Sequence, residues 1–196
     1  MDNDTDTISR LICKIFKALY FKGLITPLAG NASVRIDDKI VITPSGKIKY
    51  DLKPSDLAIV TLNGEHVSGP KPSSEVYMHL AVYRSCNWCK ALVHIHGILT
   101  PFLDENLVKE LLLDTELEYV LKPNICFVEK LRPGSLELAK AVASKIAKGC
   151  NIVILKYHGV VSVGRSLEEA VELAEAIELA SLRTIMMKML FFALHK

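Results

Sequence analysis

Long uncharged apolar runs are missing from this chain. None reaches the roughly 18 residues that a membrane-spanning helix needs, although 50% of the 196 residues are hydrophobic and the mean hydropathy is +0.27. No membrane association is expected, and the apolar excess is assigned to a large core and to subunit interfaces. A surplus of one charge sign is missing too. The net charge of +2 gives no reason to expect a nucleic-acid partner. The first residues, Met-Asp-Asn-Asp-Thr-Asp, are acidic and polar, unlike a signal or transit peptide, so a cytoplasmic location is expected. Repeats, low-complexity tracts and linkers are also lacking, and residues 1–196 read as one domain with enough core to fold unaided. The five cysteines are scattered at 13, 86, 89, 126 and 150. An odd number without a secretory signal favours reduced thiols. Cys86-Asn-Trp-Cys89 has no second CxxC to complete a zinc knuckle. It closes a predicted helix, where the dipole gives a thiolate no support, so it reads as structural.

What is present is a regular alternation of elements. Ile8, Leu11, Ile12, Ile15, Phe16 and Leu19 predict an amphipathic helix over 5–22, stopped by Gly23. Residues 32–36 and 39–43 predict a hairpin, 56–61 a third strand, and Asn63-Gly64 a turn into a short fourth. A helix is expected from Ser73, near its N-cap, to about Cys86. Buried strands are expected around 91–96 and 151–155, a strand continuing over 160–163, and another over 125–128. Ser135 opens a helix that Gly149 closes, and Ser166-Leu-Glu-Glu169 is a capping box for a helix reaching about Leu190. The stretch 98–124 shows little periodicity beyond a short helix over 105–113. The apolar end of the last helix, 185–194, suits burial against another subunit. These elements predict an α/β domain with a central, mostly antiparallel sheet flanked by helices.

One stretch concentrates chemistry. In Val93-His94-Ile95-His96-Gly97 a strand turns both imidazoles to one face. Such a pair is either a divalent-metal clamp or two hydrogen-bonded core histidines. His158, 62 residues beyond His96, also precedes a glycine at a strand end. A His-x-His pair with one distant histidine is a common way to build a three-histidine zinc site with an open position. His66, after a turn, His79, in mid-helix, and His195, near the last residue, fit less well. Glu75 is the natural fourth group, as a ligand or an acid/base; its plain alternative is a carboxylate favoured by the helix dipole. Gly30-Asn31, Thr43-Pro44-Ser45-Gly46 and Pro72-Ser73-Ser74 are small, polar breaks. Singly each reads as a turn or cap; together they supply N–H and hydroxyl donors that suit a phosphate without lysine or arginine.

These motifs, in this order, resemble the class II aldolase/adducin family over roughly residues 8–190. The resemblance implies a cyclic homotetramer with sites between subunits. It implies one Zn²⁺ per subunit on His94, His96 and His158, and Glu75 as a resting ligand and acid/base. Gly30, Asn31, Ser45, Gly46, Ser73 and Ser74 would hold a substrate phosphate, and Tyr119 would be the active-site tyrosine. The implied reaction is cleavage of a ketose 1-phosphate, such as L-fuculose 1-phosphate, to dihydroxyacetone phosphate and an aldehyde such as lactaldehyde, through a zinc-stabilised enediolate. Other family chemistries stay open: methylthioribulose-1-phosphate dehydration, pentulose-phosphate 4-epimerisation, decarboxylation, and a non-catalytic adducin-like module. Two matches depart from the pattern, Leu28 in place of a threonine and Ser45 in place of another. Compared with the family pattern, a C-terminal tail adding a tyrosine to a neighbouring site is not expected here.

Overall fold

A computed structural model describes residues 3–194. Its centre is one eight-stranded sheet. Helix α1 (Asn3–Phe21) leads into the antiparallel pair β1 (Asn31–Ile36) and β2 (Lys39–Ile42), followed by β3 (Ala58–Thr61) and β4 (His66–Ser68). Helix α2 (Val76–Ser85) precedes β5 (Ala91–Ile95), and α3 (Glu105–Leu111) precedes β6 (Ile125–Val128). Helix α4 (Leu136–Ala147), β7 (Ile152–Leu155), β8 (Gly159–Gly164) and α5 (Leu167–Leu194) complete the order. Across the sheet the strands run β4-β3-β2-β1-β5-β8-β7-β6, and only β6 and β7 are parallel neighbours. The mostly antiparallel α/β architecture expected from the sequence is therefore present.

Strand alternation explains the two cores. On β5, Ala91, Val93 and Ile95 pack with α1 and α5, whereas Leu92 packs with α2 and α4 on the opposite face. β8 does the same: Val160 enters the first core, Val161 and Val163 the second. His94 has the parity of Leu92, so it faces the α2 side.

The helix starts follow capping chemistry. Ser166 Oγ accepts the Glu169 N–H at 3.1 Å, and the Glu169 carboxylate reaches back to the Arg165 N–H at 2.7 Å. Ser135 Oγ accepts the Leu138 N–H at 3.1 Å. α2 begins two residues later than the sequence predicts for a Ser73 cap. Glu75 occupies its N-cap position, and Ser73 Oγ accepts the Glu75 N–H at 3.3 Å. The aperiodic stretch after β5 holds a short 3-10 turn (Thr100–Phe102), α3 and a π-helical turn (Glu116–Leu121).

The thiol expectation is corrected. Cys86 is bonded to Cys89, and Cys126 to Cys150, with Cα–Cα separations of 5.5 and 6.0 Å. Cys13 alone is free. An odd count requires one unpaired thiol and says nothing against two pairs among the rest. Cys126 lies on β6 and Cys150 just before β7, and the parallel pairing of these strands brings them together. Among the described residues no helix is long and apolar enough to cross a membrane. The end of α5 exposes Met186, Met187, Met189, Leu190, Phe191 and Phe192. His195 lies outside the described residues.

Candidate metal centre and substrate cleft

The middle of the sheet places the first donors. β1 and β5 pair Asn31 with His94, and β5 and β8 pair His94 with Val161. His96 follows the end of β5. His158 sits in the tight turn between β7 and β8, after Tyr157 in the left-handed region (φ 61°). Gly159 makes this approach possible: a Cβ there would stand 2.2 Å from the Ile95 oxygen and 3.0 Å from His94 Cε1. The three imidazole centroids lie 4.8–5.1 Å apart. One nitrogen of each falls within 4.8 Å of the others. Glu75, at the head of α2, brings Oε2 to 3.4 Å from His94 Nε2 and Oε1 to 4.0 Å from His158 Nε2.

The protonation state suits a cation. His94 Nδ1 lies 3.0 Å from the Val160 carbonyl, which can only accept, so Nδ1 carries the proton. Nε2 is then the nitrogen left to face the cluster. Both His94 Nε2 and Glu75 Oε1 are buried without a hydrogen-bond partner. Burial, and then the neighbouring imidazoles, push His96 and His158 down to about 4, so both are neutral at pH 7. Burial pushes the Glu75 carboxyl up, but His94, the Asn31 amide, His158 and His79 together outweigh it and hold it below its usual range. Two neutral imidazoles, the unpartnered Nε2 of His94 and a carboxylate held below its usual range are a donor set for a divalent metal.

A second layer fixes Glu75. Asn31 Nδ2 donates to Glu75 Oε2 at 2.9 Å, which leaves Asn31 Oδ1 to accept from His79 Nε2 at 2.6 Å. His79 Nδ1 must then accept, and it takes the Ser33 hydroxyl at 2.7 Å. Tyr83 closes the chain by donating to the Ser33 carbonyl at 2.9 Å. From the sequence His79 is an ordinary mid-helix residue that fits a metal site less well. The structure makes it a fully buried link, pushed by burial down to about 3 and hence neutral. A signal was available. Glu75, His79 and Tyr83 recur every four residues on α2, and Asn31 and Ser33 every two on β1, so both sets share one interface.

The cluster opens into a cleft of about 380 Å³. Gly30, Asn31, Ser45, Gly46, Ser73, Ser74, Glu75, His96 and His158, all singled out from sequence, line it together. Two backbone bonds zip its turns side by side: Ser45 N–H to the Lys71 oxygen and Ser73 N–H to the Thr43 oxygen, both 3.0 Å. Leu28 and Lys49 line the cleft as well. Tyr119 does not. It lies on the π-helical turn and is 65% exposed.

Residues 10–182 match the model of the class II aldolase and adducin N-terminal domain. The chain belongs to that family. An L-fuculose phosphate aldolase of Methanocaldococcus jannaschii is 36% identical over 165 residues, covering 84% of this chain and 88% of the relative. A 3-oxo-tetronate 4-phosphate decarboxylase of Escherichia coli is 35% identical over 170 residues, covering 84% of this chain and 80% of the relative. The crystal structure of the Escherichia coli protein YgbL superposes with a TM-score of 0.82 at 29% identity, covering 94% of this chain and 91% of that one. Within this class II family, aldolase and decarboxylase relatives thus stand at similar distance.

Proposed function

We propose that this protein is a zinc-dependent class II aldolase that reversibly cleaves a ketose 1-phosphate, such as L-fuculose 1-phosphate, to dihydroxyacetone phosphate and an aldehyde such as lactaldehyde. The observation that carries this reading is the cluster of His94, His96, His158 and the Glu75 carboxylate at the edge of a cleft lined by the small polar turns. His94, His96 and His158 would hold the metal, with Glu75 joining them in the resting state. Once bound, the metal supplies Lewis acidity to the carbonyl and hydroxyl oxygens of the substrate.

The chain's own groups do the rest. Ser45, Gly46, Ser73, Ser74, Gly30 and Asn31 offer hydroxyl, amide and backbone N–H donors to the phosphate. In the synthetic direction Glu75 takes the proton from the carbon of dihydroxyacetone phosphate that becomes nucleophilic. That carbon then forms the new bond to the aldehyde carbon as the aldehyde C=O π bond breaks, and the oxygen takes a proton from solvent to become a hydroxyl. In cleavage that hydroxyl loses its proton to solvent, the carbon–carbon bond breaks as the aldehyde C=O forms, and Glu75 returns its own proton to the carbon left behind. The Asn31–His79 chain keeps the carboxylate aimed while it does so. Tyr119 is exposed on its own chain. A role for it as acid/base requires a neighbouring subunit's cleft, which fits a homotetramer in which the apolar end of α5 is covered.

A second reading, decarboxylation of a 3-oxo-tetronate 4-phosphate, is favoured by the relatives of that name. The test offers L-fuculose, L-rhamnulose, D-ribulose and methylthioribulose 1-phosphates, with and without chelator, and follows dihydroxyacetone phosphate. Parallel samples follow CO₂ from the oxo-tetronate phosphate. Chelator-sensitive dihydroxyacetone phosphate supports the aldolase. CO₂ without it, from metal-loaded protein, replaces the aldolase by the decarboxylase.

A further inference from the structure

Lys49 is the feature of the cleft that no sequence motif announced. It lies three residues past Gly46, in a single 3-10 turn (Lys49–Asp51), and its N–H is anchored on the Pro27 carbonyl at 2.8 Å. Only 2% of the residue is exposed, yet it lines the same cleft as the polar turns. Its Nζ donates to the Pro44 carbonyl at 2.7 Å and meets the Lys47 carbonyl at 3.3 Å. Pro44 is the residue just before Ser45-Gly46. The amine therefore lies against the base of that turn.

The electrostatics of this lysine are incomplete. An ammonium has three N–H donors, and the two carbonyls use two of them. No carboxylate pairs with Lys49 among the described residues; Asp56 pairs with Lys47. A buried charge without a counter-charge is disfavoured, and burial accordingly pushes Lys49 down to about 8. An anion in the cleft would supply what is missing. Gly46, beside the amine, has φ +70° and nothing within 4 Å of where a Cβ would stand, so the turn leaves room for one.

We propose that Lys49 is the cation of the substrate cleft and that its third N–H binds the substrate's phosphate together with the Ser45–Gly46 turn. This rests on the sugar-phosphate reading of the same cleft. It changes that reading in one respect: the phosphate is held by a charge-assisted bond as well as by neutral donors. A dianion leaning on one buried ammonium gains more from it than from any single hydroxyl.

The test measures inorganic phosphate binding to the full-length protein by calorimetry, for the parent, Lys49→Met, Lys49→Gln and Lys49→Arg. Melting curves and metal content are recorded for each. Lys49→Gln keeps an N–H for the Pro44 carbonyl and carries the comparison if Lys49→Met does not fold. The expected result is a weakening of roughly tenfold or more for the neutral variants, partial recovery for Lys49→Arg, and unchanged metal content. With a cleaved substrate, KM should rise more than kcat falls. Folded neutral variants that bind phosphate as tightly as the parent overturn the proposal, even if dihydroxyacetone phosphate is released. Lys49-dependent phosphate binding without release from any ketose phosphate leaves it standing and sinks the aldolase reading instead.

Discussion

The two walls of the cleft are built on different principles. The histidine wall rises from the middle of the sheet, where ladder bonds fix Asn31 opposite His94 and Gly159 lies 2.2 Å, at its missing Cβ, from the Ile95 oxygen. The turn wall hangs on two backbone bonds and the Lys49 amine, and Gly46 stands in open space. Position on the first wall is set by exclusion: a methyl at Gly159 meets the His94 ring and the backbone of Ile95 and His96. Position on the second is set by hydrogen bonding, and at Gly46 it tolerates added volume. A metal site needs its donors placed to within tenths of an ångström. A phosphate with several oxygens accepts donors over a wider range.

The largest effect that this contrast predicts comes from Gly159→Ala. The new methyl has no flexible neighbour to push aside, only backbone and the His94 ring. A loss of at least about 3 kcal/mol is expected, with metal stoichiometry well below one per chain by elemental analysis. A variant with parental melting and full metal would show that the histidine wall is as tolerant as the other.

Glu75→Gln comes next. The amide keeps an oxygen for Asn31 but cannot take a proton, so the variant should fold and retain metal on the three histidines. Turnover should fall by about 10²–10⁴-fold, the range for a positioned acid/base. Full turnover in a metal-loaded Glu75→Gln sample would remove Glu75 from the chemistry.

His79 gives a pH signature. Folded, it titrates near 3, against an ordinary value of 6.5. Between these values the unfolded chain takes up a proton that the native chain refuses. The stability due to neutral His79 is thus whole above about pH 6.5 and drains away as pH falls toward 3. His79→Gln, which does not titrate, should lose about 1–2 kcal/mol at neutral pH through poorer hydrogen bonds. It should then show a shallower further loss than the parent in denaturant titrations from pH 6.5 down to 4. Parallel curves would mean that His79 is not held neutral.

How much of this was legible in the sequence depends on whether periodicity or tertiary placement decided the matter. The alternation around His94 and the capping box at Ser166 are local, and the strand and the helix start appear where the sequence puts them. The histidine trio and the polar turns were also readable, because each carries its own marker, a glycine or a helix start beside it. His79 was readable only as part of the i, i+4 stripe Glu75, His79, Tyr83 against the i, i+2 pair Asn31, Ser33; taken alone it looked like any mid-helix histidine. Lys49 was not readable. A lysine in a polar stretch is ordinarily solvated, and its burial depends on a 3-10 turn and on the distant Pro27 carbonyl. The Cys126–Cys150 disulfide likewise depends on strand pairing. Tyr119 sits in a π-helical turn that no 3.6-residue pattern reveals.

Gly46→Ala should do far less damage than Gly159→Ala, and it sharpens the comparison most. Its φ of +70° puts any other residue in the left-handed region, at a cost of roughly 1–2 kcal/mol, but there is no clash to add to it. For a chain of this length about 1 kcal/mol corresponds to a fall in Tm of about 2–4 °C. The two bonds that zip the turns come from Ser45 and Ser73, not from Gly46, so both should survive. Metal content, set on the other wall, should not move. Thermal unfolding with elemental analysis of Gly46→Ala beside Gly159→Ala measures the contrast directly. Equal damage from the two methyls would mean that the turn wall is as rigidly packed as the sheet, and that its glycine, too, is there to leave space.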